Sequence, residues 1–485
     1  MYRKKDPQIH MNEYIPSFSG TLNPNNRWVQ MAELIPWEEF EDEYASKFGK
    51  TGNVAYPLRM ALGTLIIKEK KNTSNEETIQ EIVESRYLQY FIGLHDFTND
   101  APFDQSAVTR FAQRLGSDIV QRVNQRICEI AQEKNNNNDQ GGSSNNTGSK
   151  DDVNKTVNKN VGKIILDATC APSDIRYPTD VSLLNQAREK LESMIDTLHK
   201  PMRGKQAKPR TYRKTARKDY LSWAKKRKKR GWKVAVRKQL GYVGRDLRSI
   251  DEMLQMEGLG TLTRRQLKDL ATIQMLFEQQ ETMHKEHTHQ IDNRIVSIQQ
   301  PYIRPIKRGK IHADTEFGAK VSISVIKGYA YIDRISWDNY SEAQDLIDVA
   351  EKYKFQYGYY PEVIQGDQIY RNRKNRDYCK TKGIRLSGPP LGRPPKDKIR
   401  TKEQRWLEYQ DSCERNAVEG KFGEAKRCGT LGQITARLQA TCETQISMVF
   451  LVRNLQKALR DLLRLLLLLV FGKHSESFEL CIMAS

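Results

Sequence analysis

The chain has 485 residues, a formal charge of +20 and a pI near 9.4, so it can hold two or three domains, and its basic excess points to a polyanionic partner, nucleic acid first. Seven scattered cysteines without a CxxC pair exclude a disulfide framework or a zinc ribbon and fit a reducing cytoplasm. The opening MYRKKDPQIH lacks the apolar segment of a secretory leader, and LLRLLLLLVF (462–471) is too short to span a bilayer and carries Arg464; no membrane partner is expected.

In chain order, YPLRMALGTLIIKEK, NEETIQEIVESRYLQYFIGL and FDQSAVTRFAQRLG show helical periodicity, the last stopping at Gly116. Short helices joined by tight turns, the last carrying Gln105, Ser106, Thr109, Arg110, Gln113 and Arg114, read as a helix-turn-helix-like unit with its reading helix last. Any small helical bundle shows the same pattern. The Asn-, Gly- and Ser-rich stretch QEKNNNNDQGGSSNNTGSKDDVNK then marks a boundary. GKIILDATCAP follows as a short apolar strand ending in Asp167, with Asp174 and Asp180 as rival acids; Asp180 precedes an apolar-periodic helix and reads as its N-cap.

A long polar helical stretch comes next. Between positions 200 and 238, eighteen Lys and Arg stand against one Asp, with Lys225, Lys226, Arg227, Lys228, Lys229 and Arg230 between Trp223 and Trp232. Cations interleaved with aromatics favour nucleic-acid contact over a solvated charge run. The flanking helices are expected to pair as a hairpin with this segment at its tip. His284, His287 and His289 lack an HExxH order and read as helix surface.

EFGAKVSISVIKGYAYIDRISW reads as two strands turning at Lys327 and Gly328, with Asp314 and Glu316 reading as ordinary loop acids just ahead of the first of them. A helix (SEAQDLIDVAEKYK), a strand PEVIQGD ending in Asp367, a helix stopped by Gly383, the strand IRLSG, the loop PPLGRPPK and a last helix complete the series. Within that helix, RNAVEGKFGEAKR places Arg415, Glu419, Phe422 and Lys426 on one stripe and turns Glu424 away. An exposed helix with ordinary charge pairs has the same pattern. A carboxylate held for a metal, beside cations held for phosphate, is the sharper reading.

The order of elements matches a ribonuclease-H-like α/β fold: a mixed sheet with a long, basic helical insertion after its first strand, preceded by an all-α helix-turn-helix-like domain. In that fold the first and fourth strands run side by side, and ligands bind where the connection order reverses. Asp167 and Asp367 would then be neighbours, and adjacent carboxylates repel unless a proton or a cation lies between them. The expected division is a helical DNA-binding domain over 1–131, a disordered linker over 132–160, a catalytic domain over 161–440 with its insertion at 181–300, and a C-terminal helix and tail over 441–485.

On these segments, nearly the whole chain resembles the DDE transposases of bacterial insertion sequences, of the group named for insertion sequence five. Related transposases carry tyrosine, two residues, arginine, three residues, glutamate, six residues, lysine; Arg415, Glu419 and Lys426 match, whereas the tyrosine position is Ser412. The resemblance implies that Asp167, Asp367 and Glu419 are catalytic and hold two Mg²⁺ ions, with Mn²⁺ as a substitute, and that Glu424 is the rival for the third acid. Arg415, Lys426, Arg110, Arg114 and the cations 225–230 are the expected DNA contacts. The implied activity is binding of terminal inverted repeats, phosphodiester cleavage and joining of 3′ ends to target DNA by a homo-oligomer in the cytoplasm, on the nucleoid. A structure-specific nuclease that does not join strands, and a helix-turn-helix regulator with an inactive second domain, are the alternatives.

Overall fold

The computed structural model of the chain describes residues 1–2, 17–139, 160–204, 206–226, 231–257, 259–307, 315–388 and 402–471. Arg227, Lys228, Lys229 and Arg230, Asp314, the loop PPLGRPPK and most of the expected linker lie outside them.

Helices open the fold. α1 (Arg27–Leu34) is capped by Asn26, and α2 (Glu41–Ser46) and α3 (Leu58–Lys71) follow. α4 (Asn75–Glu84) starts on a reciprocal Ser74–Glu77 capping box, which satisfies two donors that a helix start leaves bare. α5 (Arg86–Phe91) leads into α6 (Gln105–Asp139), broken at Gly116, where φ is +70°. The core of these helices, including Met31, Leu62, Ile66, Phe91 and Leu115, is closed by a helix from the other end of the chain: Leu451, Leu455 and Leu459 of α14 (Gln439–Phe471). Buried Asn454 fixes the register of that contact. It donates to Asn124 Oδ1 (2.8 Å) and to the Ala330 carbonyl (2.6 Å), so α14, α6 and the sheet are tied at one point.

The sheet begins with β1 (Lys163–Pro172). The insertion follows as α7 (Asp180–His199), α8 (Arg213–Lys226), α9 (Trp232–Glu257) and α10 (Arg264–Lys285), around Leu184, Leu191, Val243, Ile250, Ile273 and Leu276. α7 and α10 touch, as expected, but α9 runs between α7, α8 and α10, so the described parts of the basic segment, in α8 and at the start of α9, belong to a four-helix unit and not to a simple hairpin tip. Thr179, not Asp180, caps α7; Asp180 is buried in the first turn and accepts from Arg294 (2.6 Å) and Gln280 (3.0 Å).

The remaining strands are β2 (Arg304–Lys307), β3 (Thr315–Ile326), β4 (Tyr329–Ser336), β5 (Val363–Gln365) and β6 (Arg385–Leu386), with α11 (Asp345–Tyr357), α12 (Arg373–Lys382) and α13 (Lys402–Arg427) between or after them. Their order is β2-β3-β1-β5-β6, with β4 also on β3. β3 is long enough to pair β2 along its first part and β4 along its last, and the four residues of β2 are too short to show a strand alternation of their own. β3 turns into β4 at Lys327 and Gly328, both with positive φ, the backbone that a two-residue hairpin requires. Val321, Ile323 and Val325 face α13 and α14, while Ile164, Leu166 and Ile326 face α11.

Candidate active site

β1 pairs antiparallel with β3 along nearly its whole length, but parallel with β5 only from Lys163↔Val363 to Ile165↔Gln365. Asp167 is therefore in the middle of β1 and not at its end as expected, because β3 carries the strand on to Pro172. The relevant end is that of the parallel pairing. Asp167 and Asp367 each stand two residues beyond the Ile165↔Gln365 pair, so the register brings together two acids two hundred positions apart. Gly366 permits the turn: a Cβ there would lie 2.8 Å from the Tyr370 ring.

The environment of Asp167 carries the mark of this convergence. Burial, then the charges of Asp367 and Glu342, push its carboxyl up to about 6, against relief from the Ala168 N–H (2.7 Å) and from Arg415. Asp367 is ion-paired with Arg415 at 2.5 Å.

Arg415 is aimed by the anchoring of α13. Gln365, the last residue of β5, donates to Asp411 (2.9 Å) and Glu414 (2.6 Å); Arg385 of β6 grips Asp411 with two bonds (2.6 and 2.9 Å); Lys163 pairs with Glu414. Val418, Phe422 and Ala425 are buried against the sheet. With the helix so rotated, Arg415 reaches Asp367 at one end of its stripe, and at the other Lys426 donates to Thr169 Oγ1 (2.9 Å), two residues past Asp167. Glu419 shares this stripe and is exposed. Among the described residues no three His, Cys, Asp or Glu side chains converge to hold a metal ion, so Glu419 is not drawn into the acid pair. Glu424 lies 4.0 Å from Arg453 of α14.

The other candidates are distributed differently. Arg110 is exposed and pairs with Asp104 at 3.2 Å; Arg114 is spent on the Lys47 carbonyl (3.0 Å) and the Phe48 ring. A cleft of about 940 Å³ is lined by Thr109 on one side and by Lys426, Arg427 and Arg437 on the other. Glu69 of α3 closes its floor, accepting from the Thr430 N–H (3.0 Å) and hydroxyl (2.7 Å) just after α13. Lys225 is exposed near the end of α8, and Lys226 is its last residue. The two tryptophans that flank the cations 225–230 are partly buried on the insertion itself: Trp223 and Trp232 lie against its core, and Trp232 meets the His289 ring. Asp174 accepts from Gln433 (2.8 Å).

Sequence reasoning missed the anchors Gln365, Asp411 and Glu414, and missed Glu342. A polar glutamine closing an otherwise apolar strand, opposite acids spaced three apart on a helix, was the available signal.

Comparison with known proteins adds to this geometry. Residues 364–456 match a family described as the transposase DDE domain, and residues 16–114 match a second, described as a transposase domain (DUF772). Two separate stretches of the chain thus match transposase domains. The DDE match takes in Asp367, Arg415, Glu419 and Lys426, and the second match takes in Arg110 and Arg114. A protein of Rhizobium meliloti described as uncharacterized protein ORF8 in nfe locus is 26% identical over 170 residues, which cover 35% of this chain and 73% of the relative. No solved structure matches the chain. Among the described residues, no helix is long and apolar enough to cross a membrane.

Proposed function

We propose that the chain is an insertion-sequence transposase that binds the terminal inverted repeats of its element, cleaves phosphodiester bonds there and joins the freed 3′ ends to target DNA. The observation that carries the reading is the register-matched pair Asp167 and Asp367 beneath a helix that sets Arg415 on Asp367 and Lys426 on Thr169, two residues past Asp167. The strand order supports a ribonuclease-H-like sheet: an antiparallel β1, β3, β4 series followed by parallel β5 and β6.

The donor set suits magnesium, since its ligands are hard carboxylate oxygens whose mutual repulsion a divalent cation relieves. Asp167 and Asp367 would hold it, with Glu419 brought in from α13. Two bound ions would activate a water or hydroxyl nucleophile and stabilise the leaving oxygen of a phosphodiester. The chain's own part is to bind and aim the DNA. Arg415 exchanges Asp367 for a phosphate when DNA arrives, and Lys426 holds the backbone on the far side of the crevice. Thr109 presents the reading helix along the cleft that Lys426 also lines, with exposed Arg110 beside it, and the open cations of α8 take flanking duplex. Paired ends imply a homo-oligomer working on the nucleoid in the cytoplasm.

The test uses a duplex carrying one terminal repeat and a second with a pre-cleaved 3′ end. The full chain should nick the first and join the second only with Mg²⁺ or Mn²⁺, and Asp367→Asn should do neither while still shifting the terminal duplex. Nicking without joining would make the protein a nuclease, and binding without nicking a regulator.

A further inference from the structure

Glu342 has no part in the three-acid reading, yet it comes to the same crevice from the opposite side of the sheet. It starts the short 3-10 turn Glu342–Gln344 ahead of α11, which packs on a second such turn, Gln368–Arg371, that begins one residue after Asp367. Buried Asn375 binds the two together, donating to the Ala343 carbonyl (2.7 Å) and to the Tyr370 carbonyl (3.0 Å). The turn that delivers Asp367 and the turn that delivers Glu342 are thus one rigid unit.

Glu342 is largely enclosed and pairs with Lys320, which also donates to the Tyr340 carbonyl at 2.8 Å. Lys320 stands opposite Cys170, three residues past Asp167. A second observation points inward. Tyr370 is 1% exposed, its ring lies against Gly366, and its hydroxyl has no hydrogen-bond partner among the described residues, although Glu342 and Asp167 are the charges that act on it most strongly. A buried donor left unmade is costly, and such groups are normally satisfied in the working state of a site.

We propose that Glu342 is a fourth carboxylate of this site, held by Lys320 in the metal-free chain and turned beside Asp167 when a divalent cation binds, where it accepts the Tyr370 hydroxyl. This rests on the reading of Asp167 and Asp367 as cation ligands, and it adds a specific prediction for Lys320: the lysine competes with the ion for Glu342. Its removal should favour the ion.

The experiment measures Mn²⁺ binding to the full chain without DNA, by the loss of the free-ion EPR signal, for the wild type, Asp367→Asn, Glu342→Gln, Lys320→Gln and Tyr370→Phe. Circular dichroism and retention of terminal-duplex binding confirm folding. Glu342→Gln should weaken Mn²⁺ about tenfold or more, Tyr370→Phe by a smaller factor, and Lys320→Gln should tighten it several-fold. A merely structural ion pair would give Glu342→Gln and Lys320→Gln the same direction, and that result overturns the inference. Weakening in Asp367→Asn with wild-type affinity in Glu342→Gln also overturns it, but leaves the proposed function standing. Unchanged affinity in both would sink the two together.

Discussion

In the helical insertion, cations are dense and many are met by acids of the insertion itself: Arg213 by Asp196 and Glu192, Lys208 by Asp196, Lys238 by Asp219, Lys190 by Asp269. At the strand crevice the charges are few, and their partners come from distant elements: Arg415 of α13 on Asp367 after β5, Lys426 of α13 on Thr169 of β1, Lys320 of β3 on Glu342 ahead of α11. Local pairing neutralises charge at the folding step and leaves it structural. Pairing across elements holds charge where a ligand can exchange it. A count of charges along the sequence therefore overstates the insertion and understates the crevice.

The comparison is broken most sharply at the acids. Asp167→Asn or Asp367→Asn should lower metal-dependent cleavage of a terminal duplex on the order of 10³-fold, as loss of a main electrostatic group does, with binding in a gel shift nearly unchanged. Glu419→Gln should do the same, and Glu424→Gln, whose carboxylate sits by Arg453, should cut normally. Normal cutting by Glu419→Gln with loss in Glu424→Gln would reverse the choice of third acid.

The insertion should answer to salt instead of to metal. Each phosphate contact steepens the log–log salt dependence of binding by roughly 0.9, so replacing Lys225, Lys226, Arg227, Lys228, Lys229 and Arg230 with Gln should flatten that slope by several units on terminal and scrambled duplexes alike. Arg213→Gln, in the same basic tract but paired, should leave the slope unchanged and lower the melting temperature. An equal loss of slope from both would mean that local pairing does not decide which cations reach DNA.

Sequence reading is expected at a third place. Arg110 is exposed and paired with an exposed aspartate, so Arg110→Ala should weaken binding to the terminal repeat by roughly 1–3 kcal/mol if it reaches a base edge. Arg114, engaged with Lys47 and Phe48, should affect stability more than specificity. Footprints of the two variants, side by side, separate these roles.

How much of this was legible depended on whether the signal was local. The hairpin at Lys327 and Gly328, the stop at Gly383 and the helices after Pro57 follow from turn chemistry and periodicity, and the structure has them where the sequence puts them. The stripe Arg415, Glu419, Lys426 follows from helical spacing alone. The extension of β1 past Asp167 was not legible, since only the length of its partner β3 decides it. The N-cap at Thr179 in place of Asp180 turned on a choice between adjacent residues that both cap well. Glu342 and Tyr370 were invisible because nothing in their own neighbourhood marks them; the packing of two short turns does.

The smallest effect concerns buried charge, where the two regions again differ. In the insertion Arg188 and Glu192 are both buried and paired with each other. On the sheet, Asp333 of β4 is half-buried as a residue, but its Oδ2 is enclosed: Oδ1 accepts from Ser324 at 3.0 Å and Oδ2 has no partner among the described residues. Burial pushes this carboxyl up to about 7, helped by Asp345 and opposed by Ser324 and Lys352. A carboxyl whose folded-state value exceeds its unfolded one binds its proton more tightly in the folded chain. Its contribution is thus most favourable below about pH 4 and declines as pH rises toward 7, then stays level. Asp333→Asn removes the charge and keeps the acceptor for Ser324. Above pH 7 the variant should be more stable than the wild type by roughly 1–3 kcal/mol, the scale of an unsatisfied buried group, and near pH 4 the two should melt together. Thermal melts at pH 4, 6 and 8 decide it: a constant gap across the series would mean that Asp333 does not titrate in this window, and a less stable variant at pH 8 would mean that Lys352 pairs the carboxylate as fully as Arg188 pairs Glu192.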